Sequence, residues 1–209
     1  MAIRRATAPP EPRQRILGID PGSNLTGYAI LDREGSKLTL VTLGVIRPGK
    51  LGPDADHPDK LAFILQRVTE LVKTWQPDTA AVEAPFFGKN VQSMLKLGRV
   101  QGVVMAAALA QGVPIVEYSP RLVKKAVTGG GNATKEQVAA LLTRQLPNLP
   151  SFADSGVMDA TDALAVAFCH ANRQRGPLAA AQAFTSWDAF LKSNPDKVIR
   201  RRKPGQGEQ

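Results

Sequence analysis

The sequence predicts an α/β fold, a mixed β-sheet with helices on its faces, and three observations carry that prediction. Three apolar, β-branched runs lie close together between Ile16 and Ile46, joined by short polar turns. Beyond them, stretches with helical apolar spacing alternate with short apolar strands. Hydrophobic residues make up 43% of the 209 residues, enough for one sizeable core. A meander followed by alternating helix and strand gives a mixed sheet.

Ile16, Leu17 and Ile19 read as a buried strand that ends on Asp20, and Pro21, Gly22, Ser23 and Asn24 then form a turn. Residues 26–31 return as a second strand. After the polar turn 32–36, residues 38–46 make a third, in which Gly44 marks a bulge or a close contact. Residues 48–58, rich in Pro and Gly, read as loop. In 59–75, Leu61, Ile64, Leu65, Val68, Leu71 and Val72 keep helical spacing, and Pro77 ends the helix. Residues 79–83 form a fourth strand, again ending on a carboxylate, Glu83. A long helix rich in Gly and Ala covers 90–111, and 114–118 is the fifth strand. A short helix spans 120–127. Thr134 opens the next, with Gln137 as its capping-box partner, and that helix runs to Leu146. The last helix covers 155–172.

The net charge of +9 is unevenly spread. Residues 1–15 carry +3 and residues 171–209 carry +5, including the run Arg200-Arg201-Arg202-Lys203. We read 1–15 and 174–209 as basic, mostly disordered tails around a body at 16–173. Within the body, 88–151 is +6, while 16–87 and 152–170 are −2 and −3. An acidic cluster beside a basic segment suits an enzyme that acts on nucleic acid through metal-binding carboxylates. The lone Cys169 excludes an internal disulfide and fits a reducing cytoplasm. No apolar run approaches the ~18 residues of a membrane span. The first fifteen residues lack the apolar core of a secretory signal. Their Arg content leaves an organelle-targeting reading beside that of a tail.

Asp20 taken alone also fits an Asp-Pro-Gly turn, with its side chain bonded to its own backbone. The last helix changes the weight of that reading. Asp159 and Asp162 are three residues apart, which puts both on one helical face with Cβ atoms about 5–6 Å apart. Their neighbours Ala163, Leu164, Val166, Ala167 and Phe168 are apolar, so the two like charges call for a cation. A solvated stripe is the plainer alternative. Asp20, Glu83, Asp159 and Asp162 together form a set of hard oxygen donors suited to Mg²⁺ or Mn²⁺ rather than Zn²⁺. Two such ions ~3.5–4 Å apart support phosphodiester hydrolysis without a protein nucleophile. On that reading Cys169, His57 and His170 are structural.

The stretches GIDPGSNLTGYAIL, VEAPFFGKN, LKLGRVQG, VPIVEYSPRLVKKAVTGGGNATKEQV and DATDALAVA resemble, in order and spacing, the RuvC family. These are Holliday-junction resolvases of the ribonuclease H-like superfamily. The resemblance spans residues 16–172. It implies a ribonuclease H-like five-stranded mixed sheet, a three-strand antiparallel meander plus two parallel strands, with helices on both faces. It further implies a homodimer that nicks two opposing strands of a four-way DNA junction in recombination and repair. The active site would be Mg²⁺-dependent, with two ions and Mn²⁺ as the alternative, built from the matching residues Asp20, Glu83, Asp159 and Asp162. Phe86 matches an aromatic that stacks on an unpaired base, with Phe87 the alternative. Lys124 and Lys135 match basic residues near the scissile backbone, and Lys89, Asn90 and Arg99 are further phosphate-contact candidates. The helix 90–111 would form the dimer contact through Met94, Leu95, Val103, Val104 and its small residues. Partnership with RuvA and RuvB and a bacterial cytoplasmic location are implied in the same way. Two other classes share parts of this pattern. Actin-like ATPases and sugar kinases share the opening strand-turn-strand but need two such domains. A non-catalytic junction-binding scaffold would be expected to lack an acidic ligand. A resolvase-like nuclease without junction specificity is the third alternative.

Overall fold

The computed structural model describes residues 12–52, 54–85, 90–146, 149 and 157–173, with Val157 by its backbone only. The chain divides after Asn172. In the first unit, five strands form one sheet in the order β3-β2-β1-β4-β5. They are β1 (Gln14–Asp20), β2 (Thr26–Glu34), β3 (Lys37–Ile46), β4 (Thr79–Glu83) and β5 (Ile115–Tyr118). β1–β2 and β2–β3 pair antiparallel, whereas β1–β4 and β4–β5 pair parallel. This is the mixed sheet the sequence predicts. Among the described residues five α-helices accompany the sheet: α1 (His57–Trp75), α2 (Val91–Leu109), α3 (Pro120–Thr128), α4 (Lys135–Gln145) and α5 (Val157–Arg173).

The period-two alternation of each strand sends side chains to opposite faces. Ile16, Ala29, Leu31 and Ala81 join one core with Val123, Val127, Val138, Leu142 and Leu164, from α3, α4 and α5. Leu17, Ile19, Ile30, Ala80 and Val82 join the other with Ile64, Val68, Val72, Val100 and Val104, from α1 and α2. Burying each large aliphatic side chain contributes about 1.5–3 kcal/mol. Two glycines bring α5 onto the sheet. A Cβ on Gly18 would overlap the Ala163 carbonyl and crowd Ala167, and one on Gly27 would overlap the Asp159 carbonyl. The helix backbone therefore lies directly on β1 and β2, and this seats Asp159 beside the end of β1.

Several boundaries differ from the sequence reading. β1 begins at Gln14 because Arg15 is anchored: its backbone N–H donates to Asp78 at 2.7 Å and its guanidinium to Asp32 at 2.7 and 2.9 Å. α1 begins at His57, since Pro58 occupies the first turn, where a missing N–H costs nothing. Asp56 and Asp59 form its capping box. The Thr134–Gln137 capping box of α4 is present as expected. Gly44 is a close contact, against the Tyr28 ring, while the bulge lies at Ile30/Leu31. The turn after Asp20 is closed by the Thr26 hydroxyl, which donates to the Gly22 carbonyl at 2.8 Å. On α2, Val104 is fully buried against the sheet, so it belongs to the core and not to a contact surface. The exposed stripe is instead Val91, Leu95, Gly98, Gly102 and Leu109. The tails at 1–11 and 174–209 lie outside the described residues.

Candidate active site

The sheet topology dictates where carboxylates gather. β1 and β4 run parallel with Ile19 beside Val82, so Asp20 and Glu83 leave adjacent strands at the same edge. β5 ends there too, with Tyr118 beside Glu83. α5 crosses over Gly18 and Gly27 and presents Asp159 and Asp162 to that edge. None of the four is fully exposed.

Their electrostatics show that they share one environment. Burial holds the Asp20 carboxyl above the usual range, and the charges of Asp162 and Asp159 add to that. Glu83 is pushed up to about 8, first by burial and then by the charge of Asp20 and a hydrogen bond with it. A hydrogen bond between these two carboxyls requires one proton between them. The cation facing this group is Lys135, at the first position of α4. Its Nζ donates to the Asp162 carboxylate at 2.5 Å, with the Asp162 side chain only 19% exposed. That bond, opposed by partial burial and aided by the charges of Asp162, Asp20 and Asp159, raises the Lys135 pKa.

The donor set is all hard oxygen, partly desolvated and offset, among the described residues, by a single lysine, which is the chemistry a divalent oxophilic cation fits. Among the described residues, no three such side chains stand close enough to grip one ion as they are. Lys135 on Asp162 and the Glu83–Asp20 hydrogen bond both occupy oxygens that an ion would take. The fit is therefore one of donor chemistry and placement rather than of a closed cage.

The described ones among the other sequence candidates fall outside this cluster. Asn90 is the N-cap of α2, its side chain accepting from the Ser93 N–H at 3.1 Å. Arg99 is exposed on α2, and Lys124 is half-buried on α3. Phe86, Phe87 and Lys89 lie outside the described residues. His170 is structural as read: its Nδ1 meets the Tyr118 hydroxyl at 2.8 Å, and burial pushes its pKa down to about 4. Sequence reasoning missed Gln101. It is 7% exposed, bonds to Glu117, and lines a cavity of about 180 Å³ with Asp20, Pro21, Glu83 and Leu97. The available signal was a polar residue at a core position, in phase with Leu97, Val100, Val104 and Ala108.

Both the sequence and the fold resemble known proteins. The sequence profile of the family "Crossover junction endodeoxyribonuclease RuvC" matches residues 16–170. The RuvC of Porphyromonas gingivalis is 50% identical over 190 residues, covering 90% of this chain and 98% of its own. That of Cytophaga hutchinsonii is 49% identical over 185 residues, covering 88% and 87%. Thermus thermophilus RuvC, solved in complex with a Holliday junction substrate, superposes with a TM-score of 0.69 at 32% identity, over 78% of this chain and 95% of that one. The yeast mitochondrial resolvase Ydc2 shares the fold, with a TM-score of 0.61 at 18% identity over 80% and 82% of the two chains. The chain belongs to the RuvC family of crossover junction endodeoxyribonucleases.

Proposed function

We propose that this chain resolves four-way DNA junctions by two symmetric nicks, one per protomer of a homodimer, through metal-assisted phosphodiester hydrolysis. The observation that carries this reading is the delivery of Asp20, Glu83, Asp159 and Asp162 to one edge by β1, β4 and α5, with Glu83 pushed up to about 8. A charge cluster of this kind is costly to the fold and useful to a cation. The junction substrate is the one named for the Thermus thermophilus relative.

The four carboxylates would hold Mg²⁺ or Mn²⁺, and a bound pair would polarise the scissile phosphate and activate water. As a ligand to a divalent cation Glu83 would be ionised, because a coordinating carboxyl must give up its proton. Lys135, released from Asp162, remains beside the site as a cation for the DNA backbone. Lys124 and Arg99 add phosphate contacts, which fix register and carry no base information. Lys89 contributes to the same surface, and Phe86 supplies the stacking face that holds an unpaired base at the crossover. The tails at 1–11 and 174–209 add non-specific affinity through their positive charge.

The dimer rests on α2. Val91, Leu95, Gly98, Gly102 and Leu109 recur at spacings of four, three, four and seven residues, an a/d-type seam. Val91, Leu95 and Leu109 are 67%, 59% and 54% exposed, and a Cβ on Gly98 or Gly102 would meet nothing within 4 Å. A C₂ pair built on this seam leaves both acidic edges open and matches the approximate two-fold symmetry of the junction. Purified protein with Mg²⁺, incubated with a labelled four-way junction and with a matched linear duplex, tests the proposal. Paired nicks on the junction alone are expected, and equal cutting of both substrates would contradict it.

A further inference from the structure

A second polar site lies next to the acidic edge. The turn that follows Asp20 meets the N-terminal turns of α1 and α2 around a cavity of about 440 Å³. Ser23, Asn24, His57, Lys60, Ser93 and Lys96 line it. Neither lysine has an ion-pair partner among the described residues, and the Lys60 ammonium makes only a long 3.4 Å bond to the Asn24 side-chain oxygen among them. The His57 Nε2 atom is buried without a hydrogen-bond partner. An orphaned buried nitrogen is unfavourable unless something occupies the space beside it. Asp56 is the acidic member of the lining. Its Oδ1 is committed to the Asp59 N–H at 2.9 Å, while the Asp59 carboxylate accepts from the Asp56 N–H at 3.1 Å. Two helix N-termini, two lysines and two hydroxyls therefore face one polar cavity.

We infer that this cavity binds a backbone phosphodiester of the DNA strand that enters the active site, one register away from the phosphate that is cut. The inference rests on the nuclease reading above. Ser23 is three residues past Asp20, so a strand seated in the cavity continues to the carboxylates without leaving the surface. Lys60 and Lys96 neutralise the phosphate, and Ser23 and Ser93 donate to its oxygens.

The test is the salt dependence of four-way-junction binding by the full chain. Wild type is compared with Lys60→Gln/Lys96→Gln and with Lys37→Gln/Lys73→Gln, which removes the same charge at the opposite end of the sheet. The cavity variant is expected to lose about one unit of the slope of log K against log salt. It is also expected to lose about tenfold in affinity, with the far-end variant unchanged. Equal losses in the two variants, or no loss in either, overturn the inference. Ser93→Glu gives an independent arm, because a carboxylate in the first turn of α2 suits the helix but repels a phosphate. A folded Ser93→Glu protein that binds as wild type also overturns the inference. Failure of the nuclease reading looks different: wild type would then bind junction and duplex alike.

Discussion

At the Gln14 end of β1, a half-buried carboxylate is matched by arginine. Asp32 accepts two of the three guanidinium bonds of Arg15 and lies 3.6 Å from Arg13, and Asp78 takes the Arg15 backbone N–H. At the Asp20 end of the same strand, four carboxylates face one lysine among the described residues, and two of them are held above their usual range. Both ends carry acids at strand termini, and the difference lies in whether the fold supplies the counter-charge. Where it does, the ion pair closes the sheet. Where it leaves the charge short, the sheet edge needs a cation and can use it for chemistry.

The sharpest way to break this comparison is to mutate each end in turn. Asp20→Asn is expected to lower junction cleavage at least about 10³-fold, while binding stays within severalfold because affinity comes mainly from lysine and arginine. Arg15→Ala is expected to cost about 2 kcal/mol of stability by stranding Asp32, with cleavage per folded molecule unchanged. Chemical denaturation and single-turnover cleavage of both variants check the pair. Equal loss of binding and cutting in Asp20→Asn would remove its role as a metal ligand.

The pH dependence sharpens the same contrast. Glu83 is pushed from 4.5 up to about 8, so the folded chain keeps a proton that the unfolded chain has already released. Stability without divalent cation therefore falls as pH rises from about 4.5 towards 8. His170, pushed down from 6.5 to about 4, acts in the opposite sense, losing stability as pH falls through that window. Between pH 6.5 and 8 the slope belongs to the acidic edge. A loss of about 2 kcal/mol is expected there, absent in Glu83→Gln and reversed by Mg²⁺. Denaturation at both pH values, with chelator and with Mg²⁺, reads it directly, and a flat profile would contradict the placement of Glu83.

How much of this contrast was legible in the sequence follows from its physical origin. Asp20, Glu83, Asp159 and Asp162 stood out because each interrupts an apolar pattern, and strand order alone brings the first two together. The capping boxes and the strand-helix alternation are local and were readable for the same reason. Long-range closeness was not. Nothing near Gly18 or Gly27 announces that α5 lies on them, and nothing near Lys135 names Asp162 as its partner. Arg15 read as part of a basic tail because its partners Asp32 and Asp78 are 17 and 63 residues away. Val104 read as surface because helical period does not say which of two faces turns to the sheet.

Smaller effects extend the account to the DNA and to assembly. Gly102→Glu is expected to give a folded monomer that makes unpaired nicks, since a Cβ there meets nothing within 4 Å. Sedimentation together with nick mapping checks it. Lys135→Ala and Lys124→Ala are each expected to slow cutting about tenfold without changing which sequence is cut. Lys135→Ala should have the larger effect, because it also removes the cation beside Asp162. Cleavage-site sequencing on a randomised junction separates rate from preference.

Titration calorimetry with Mn²⁺ at pH 8 tests the central claim most directly, comparing wild type, Asp20→Asn and Asp78→Asn. Wild type and Asp78→Asn are expected to bind two ions per protomer and to release protons on binding, while Asp20→Asn loses at least one ion. Undiminished Mn²⁺ binding by folded Asp20→Asn would contradict the claim that the uncompensated carboxylates of this edge are the metal site.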